Sequence, residues 1–177
     1  DTSQRQAENL SQHPEIAHGS LPEQLLIEEN QTRFLVNVAE GQKTGWFYDH
    51  RVSRGQLAQW SRGLNVLDLF SYAGAWGISS AVAGAAEVTC VDSSESALTL
   101  AAESAKLNDV HGKMQFERSD AFEFLKQARD AGQHYDAIVL DPPALIKRTK
   151  GVPAVTISPT CTNLSATCPD CKAVKRT

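Results

Sequence analysis

From Leu64 to Asp141 the chain repeats one pattern, a short apolar run rich in β-formers followed by a stretch with helical spacing. The runs are LNVLDLF, AEVTCVD, KMQFERSD and YDAIVLD. Between them, helices are expected over about Ala75 to Val82, Ser94 to Leu107 and Ala121 to Ala131. Strands separated by helices are parallel neighbours joined by right-handed crossovers rather than hairpins. Their near-continuous apolarity means that helices cover both faces of the sheet. The expected fold class is therefore α/β, an open parallel sheet of four strands that looks incomplete.

What precedes and follows this pattern differs in character. Residues 1–20 are polar and read as a disordered or loosely attached lead, not as a secretory signal. Residues 21–40 contain LLIEENQTRFLVNV, two apolar-rich runs around a turn, expected to be a β-hairpin from the edge of a preceding domain. Gln31 stands where a tight turn would favour glycine. GQKTGWFYDHR follows as a loop, then a helix for which Asp49 is the expected N-cap. Residues 151–177 show neither strand nor helix period and read as an atypical tail.

At 41% hydrophobic and 21% charged residues, the chain has the make-up of a soluble globular domain. No apolar run approaches the roughly 20 residues of a membrane span, and a cytoplasmic protein is expected. A net charge of -4 gives no overall attraction to nucleic acid, so any such contact must be local. One local patch is IKRTK, with Lys147, Arg148 and Lys150; a solvated loop explains it equally well. Of four cysteines, Cys90 lies in an apolar run and reads as core, while Cys161, Cys168 and Cys171 crowd the tail with no later histidine. No metal site is expected from them.

In an open parallel sheet a ligand lies beyond the carboxyl ends of the strands, and here each of the four runs ends in an acid: Asp68, Asp92, Asp120 and Asp141. Asp92, about 20 residues past the first strand-to-helix loop, is placed to accept from ribose hydroxyls. Asp120, with Ala121 behind it, could meet an adenine amino group. The loop itself, SYAGAWG, lets backbone approach a ligand closely at Gly74. It lacks G-x-G-x-x-G, which argues against a dinucleotide, and no G-K-[ST] follows, which excludes a P-loop. An adenosine cofactor without phosphates fits better. After the last strand, Asp141-Pro142-Pro143 makes a stiff corner without backbone donors, a suitable floor for a nucleobase taken out of its stack.

In this order and spacing, GQKTGWFYDHR, VLDLFSYAGAWG, VTCVDSSESAL, ERSDAFEFL and DAIVLDPPALIKR resemble class I S-adenosylmethionine-dependent methyltransferases, which have a Rossmann-like sheet. More narrowly they resemble the bacterial 23S ribosomal RNA cytosine-C5 methyltransferases. The likeness spans about Leu21 to Lys150, with 41–150 as the N-terminal half of the catalytic core. It implies S-adenosyl-L-methionine as cofactor and ribosomal RNA as partner. Asp68, Ser71 and Gly74 would line its methionine part, Asp92 with Ser93 the ribose, and Asp120 with Ala121 the adenine. Gln42, Lys43, Thr44 and Arg51 would close over it. Asp141 would position the target base, with Pro142, Pro143, Lys147 and Arg148 on the substrate side. Of the family's N-terminal RNA-binding domain of the PUA type, only the hairpin is expected among these residues. Dimerisation stays open, a homodimer included.

Carbon 5 of cytosine is not nucleophilic, so a thiolate must first add to carbon 6. The family's cysteine lies after a further strand, in a Thr-Cys-Ser context that this sequence does not show. Thr160-Cys161-Thr162 and Thr167-Cys168-Pro169 echo it in another setting. The chain is therefore expected to bind cofactor weakly and not to methylate, as a truncated or frame-shifted core would. The alternatives are a non-catalytic cofactor-binding module and an N-methyltransferase acting on a nucleobase.

Overall fold

The computed structural model describes residues 18–38, 45–142 and 172–173. Leu25–Glu29 (β1) and Thr32–Val36 (β2) pair as an antiparallel hairpin, Leu25 opposite Val36 and Glu29 opposite Thr32. Asn30 and Gln31 form the two-residue turn with φ of +50° and +63°, the left-handed pair whose twist matches that of the strands. The turn closes without glycine because Asn30 tolerates this region and its side-chain amide donates to the Arg51 carbonyl at 2.9 Å.

A 3-10 turn, Tyr48–His50, runs into helix α1, Arg51–Trp60. Asp49, the expected N-cap, lies inside that turn, and His50 takes the cap position without a side-chain capping bond. The cause is the turn itself, in which the His50 N–H reaches the Phe47 carbonyl at 3.4 Å and delays the helix by a residue.

The alternating region folds as its pattern requires. Its elements are β3 (Asn65–Leu69), α2 (Ala75–Val82), β4 (Glu87–Asp92), α3 (Glu95–Leu107), β5 (Met114–Arg118), α4 (Ala121–Asp130) and β6 (Ala137–Leu140). Of the stretch after Gly151, Lys172–Ala173 is described; it forms β7 and adds to the β6 edge. The sheet order is β5-β4-β3-β6-β7, with every pairing parallel. The chain steps outward from β3 through β4 to β5, then crosses to the other side of β3. The order thus reverses between β3 and β6, and a ligand crevice is expected above that point.

Helices cover both faces, which is why β3, β4 and β6 are mostly apolar. On one face Val66, Val88, Cys90 and Val139 pack with Ile78 and Ala81 of α2, Leu98 and Ala101 of α3, and Leu57 of α1. Phe34 and Val36 of the hairpin belong to the same cluster. On the other face Leu67, Leu69 and Val91 meet Ala121, Phe124 and Leu125 of α4. Side chains of α3 occupy the outer edge of β2: the Leu35 N–H donates to Ser104 Oγ at 2.9 Å and the Arg33 N–H to Asn108 Oδ1 at 2.9 Å.

A buried ion pair ties the hairpin to α1. Arg54 is 1% exposed, and its Nε and Nη2 donate to Glu29 Oε1 at 2.7 Å and Oε2 at 2.9 Å. Trp46 Nε1 donates to the same carboxylate at 3.1 Å, and Arg54 Nη2 also reaches the Phe47 carbonyl at 2.9 Å. Every oxygen of the pair is engaged, the condition under which such a pair is tolerated in a core. Among the described residues, no helix is long and apolar enough to cross a membrane.

Candidate functional site

The strand-end acids are not level. Asp68 pairs with Cys90 on one side and Val139 on the other. Asp92 and Asp141 come two residues after these partners, so they stand one step further out on the same face of the sheet. Asp120 lies beyond the end of β5 and caps α4, its Oδ1 accepting from the N–H groups of Phe122 at 2.9 Å and Glu123 at 3.2 Å. Three carboxylates therefore share the face under the N-terminus of α2, and the fourth holds a helix end.

Asp68 is fully buried. Its Oδ2 accepts from the Gly77 N–H at 2.9 Å, in the first turn of α2, while its Oδ1 is buried without a partner. Burial pushes this carboxyl up to about 7, against the lowering effect of the Gly77 N–H; the charges of Asp141 and Asp92 push the same way, and Arg54 opposes them. Ser71 Oγ is the second buried polar atom without a partner among the described residues. Both orphans belong to the loop-and-strand motif singled out from the sequence.

Between these two residues and the helix the backbone alternates. Phe70, Tyr72 and Gly74 have φ of +58°, +48° and +72°, and a left-handed residue with a Cβ costs roughly 1–2 kcal/mol. The loop is held by hydrogen bonds from Ser71 N–H to the Val91 carbonyl at 3.0 Å, Tyr72 N–H to Asp92 Oδ2 at 2.8 Å and Gly74 N–H to the Ser71 carbonyl at 2.8 Å. At Gly74 a Cβ would come within 2.9 Å of Ala101 Cβ; at Gly77 it would come within 2.6 Å of Cys90 Sγ. These glycines let α2 sit close on α3 and β4.

Asp92 is fixed at both oxygens, since Oδ1 accepts from the Ser94 N–H at 2.8 Å. Ser93 is exposed beside it, and Ala121 is buried in the core under α4. Arg51 is exposed at the start of α1; Asp141 and Pro142 are partly buried past β6. Gln42, Lys43, Thr44, Pro143, Lys147 and Arg148 lie outside the described residues. One residue that sequence reasoning passed over is His50, whose Nε2 lies 3.6 Å from Asp141 Oδ2 and whose ring centroid is 5.7 Å from that of Trp76. Its place in GQKTGWFYDHR was the available signal, but among charged neighbours it reads as a helix start.

This arrangement suits a ligand rich in hydrogen-bond donors and poor in negative charge. The carboxylates of Asp92 and Asp141 on one face repel a pyrophosphate, whereas Asp68 Oδ1 and Ser71 Oγ are buried polar atoms in want of partners. The donor groups of S-adenosylmethionine, an ammonium and ribose hydroxyls with no phosphate, fit that set. The parallel sheet, its switch point and this loop define a Rossmann-like class I methyltransferase.

Comparison with known proteins agrees. The family model of S-adenosylmethionine-dependent methyltransferases matches residues 9–155. Among curated proteins, the ribosomal RNA large subunit methyltransferase I of Aeromonas salmonicida is 39% identical over 145 residues, covering 81% of this chain and 37% of that protein. The protein of that name from Escherichia coli O157:H7 is 36% identical over 149 residues, 83% of this chain and 38% of its own length. This chain thus spans a little over a third of these relatives. Among solved structures, the S-adenosylmethionine-dependent methyltransferase from Agrobacterium tumefaciens superposes with a TM-score of 0.67 at 30% identity, over 73% of this chain and 42% of that one. A protein described as a methyltransferase and complexed with SAH gives 0.69 at 32%, over 76% and 36%. The chain belongs to the S-adenosylmethionine-dependent methyltransferase family, and S-adenosylmethionine is its cofactor.

Proposed function

We propose that this chain carries the cofactor site of a cytoplasmic methyltransferase that acts on ribosomal RNA, with carbon 5 of cytosine as the target atom. The observation that carries the reading is the trio Asp68, Asp92 and Asp141 on one face at the switch point, with the orphaned Asp68 Oδ1 and Ser71 Oγ beneath it. Ribosomal RNA as substrate is supported by what the Aeromonas and Escherichia relatives are named for.

The roles rest on the family resemblance, and for the described residues position supports them. Asp92, already oriented by two backbone donors, accepts from the ribose; Asp68 and Ser71 accept from the methionine end; Ala121, just past the cap Asp120, lies on the adenine side. Asp141 and the prolines after it face the base. Gln42, Lys43, Thr44 and Arg51 close over the cofactor, and Lys147 and Arg148 meet RNA phosphates.

The sulfonium supplies an electrophilic methyl group when the cofactor is bound. Attack from carbon 5 needs a thiolate, and Cys90 does not provide one: it is buried in the core, and burial together with the Asp68 charge pushes its thiol well above the ordinary range. The described residues bind and orient; we expect the 177-residue chain to turn over no methyl groups on its own. Calorimetric titration with S-adenosylhomocysteine (SAH) should show a single site, and its absence at millimolar ligand would sink the cofactor reading. Transfer of labelled methyl groups into 23S ribosomal RNA should stay at background; sustained turnover would refute the missing-thiolate part alone.

A further inference from the structure

The surroundings of Asp68 give a negative charge little support. The residue is fully buried; its Oδ2 has one donor, the Gly77 N–H at 2.9 Å, and its Oδ1 has no partner. Asp92 on β4 and Asp141 past β6 stand one step out on the same face and oppose a further negative charge there. His50 Nε2 lies 3.6 Å from Asp141 Oδ2. From α1 the Arg54 guanidinium favours the charged form, but it is already bonded at 2.7 and 2.9 Å to the two oxygens of Glu29 on β1. Cys90, opposite Asp68 on β4, stays neutral because burial and the Asp68 charge push its thiol up. From α2 comes the Gly77 N–H and no titratable side chain. A buried carboxyl with one oxygen unfilled and like charges beside it takes up a proton rather than stay charged. Asp68 keeps that proton up to about pH 7.

The methionine end of the cofactor carries what this carboxyl lacks. Its ammonium presents three N–H donors and a positive charge, and the other orphaned atom, Ser71 Oγ, lies on the loop that follows the strand of Asp68. A positive charge within about 4–6 Å lowers the pH at which a carboxyl ionises by about 1–3. Direct contact is not required for that effect, so the seal around Oδ1 is no obstacle to it.

We propose that binding of the cofactor expels the proton of Asp68, converting the carboxylic acid of the free chain into the carboxylate that balances the cofactor's ammonium. This rests on the reading that Asp68 and Ser71 receive the methionine end. The O–H bond of the acid breaks, its electron pair stays on the carboxylate, the proton passes to the buffer, and the ammonium keeps its three hydrogens. Because the bound state holds fewer protons than the free one, affinity rises with pH until Asp68 is already ionised in the free chain, at about 7.

Calorimetric titration with SAH at pH 6, repeated in buffers of different ionisation enthalpy, counts the protons released. The α-amino group of the ligand, which titrates at about 7.7–8.0, stays charged at that pH, so the count reads the protein. About 0.4–0.9 proton per ligand is expected, the span that follows from lowering the ionisation of Asp68 by about 1–3. 5′-Methylthioadenosine, which has the adenosine and the thioether but no ammonium, should release none. Asp68→Asn has no proton to give, and its count with SAH should fall to near zero. If that variant binds too weakly to titrate, the NMR signal of Asp68 Cγ in the carbon-13-labelled parent decides, moving to its carboxylate position when SAH saturates the chain at pH 6. SAH binding without proton release, release undiminished in Asp68→Asn, an unmoved Cγ signal, or equal release by 5′-methylthioadenosine would each overturn the proposal and leave the cofactor reading standing. A parent chain that binds neither ligand overturns both.

Discussion

Replacing Asp68 with asparagine should make the fold more stable at alkaline pH and leave it nearly unchanged in acid. The folded chain holds the Asp68 proton up to about pH 7, because burial disfavours the charge, while the unfolded chain releases it near 3.8. Stability therefore falls as pH rises between these values, and this group has no further effect above them. At about 1.4 kcal/mol for each pH unit between 3.8 and about 7, charging Asp68 costs the fold about 4 kcal/mol. That is a large share of the 5–15 kcal/mol typical of a domain. In Asp68→Asn the amide oxygen still accepts from the Gly77 N–H, and the group stays neutral throughout. Urea unfolding of parent and variant from pH 4.5 to 8 reads the effect, because titrating groups that do not interact with Asp68 cancel in the difference. The variant's advantage should grow through this range and level off above pH 7. Parallel profiles would show that the carboxyl titrates normally, and the burial reasoning would fail.

Three further substitutions probe the hairpin and its anchor. Gln31→Gly relieves a side chain at φ +63° and should raise stability by about 1 kcal/mol; thermal unfolding reads it, and a loss instead would mean that the Gln31 side chain makes a contact worth more than the strain. Glu29→Gln leaves the Arg54 guanidinium 1% exposed without its counter-charge, which should cost roughly 3–5 kcal/mol. Pairing it with Arg54→Met should recover most of that loss in denaturant unfolding, and additive losses would show the two residues to be energetically independent.

The sequence made the sheet legible because both of its faces are covered, so β3, β4 and β6 are apolar without alternation. The starts of α3 and α4 were legible for a local reason, since Ser94 and Asp120 accept from N–H groups two or three residues ahead. What could not be read depends on contacts between distant segments. Arg54 looks like one more solvated cation on a helix until the hairpin brings Glu29 against it. Gly74 reads as room for a ligand, yet the space a Cβ would take there is filled by Ala101 of the next helix. The four acids look equivalent because each ends an apolar run, and only the register of β3 against β4 and β6 sinks Asp68 a step below Asp92 and Asp141.

That difference in depth divides the work of the site. Asp68 is sealed and has one oxygen tied to α2, so its ionisation responds to whatever donor reaches the other. Asp92 supports the strained loop, since the bond from the Tyr72 N–H to its Oδ2 helps hold Phe70 and Tyr72 at positive φ. A loop carrying two such residues persists only where its surroundings over-determine it. In return the loop fixes the carboxylate before any ligand arrives, which removes the ordering cost from binding. In the proposed site the cofactor wall is thus organised by backbone, residue against neighbouring strand.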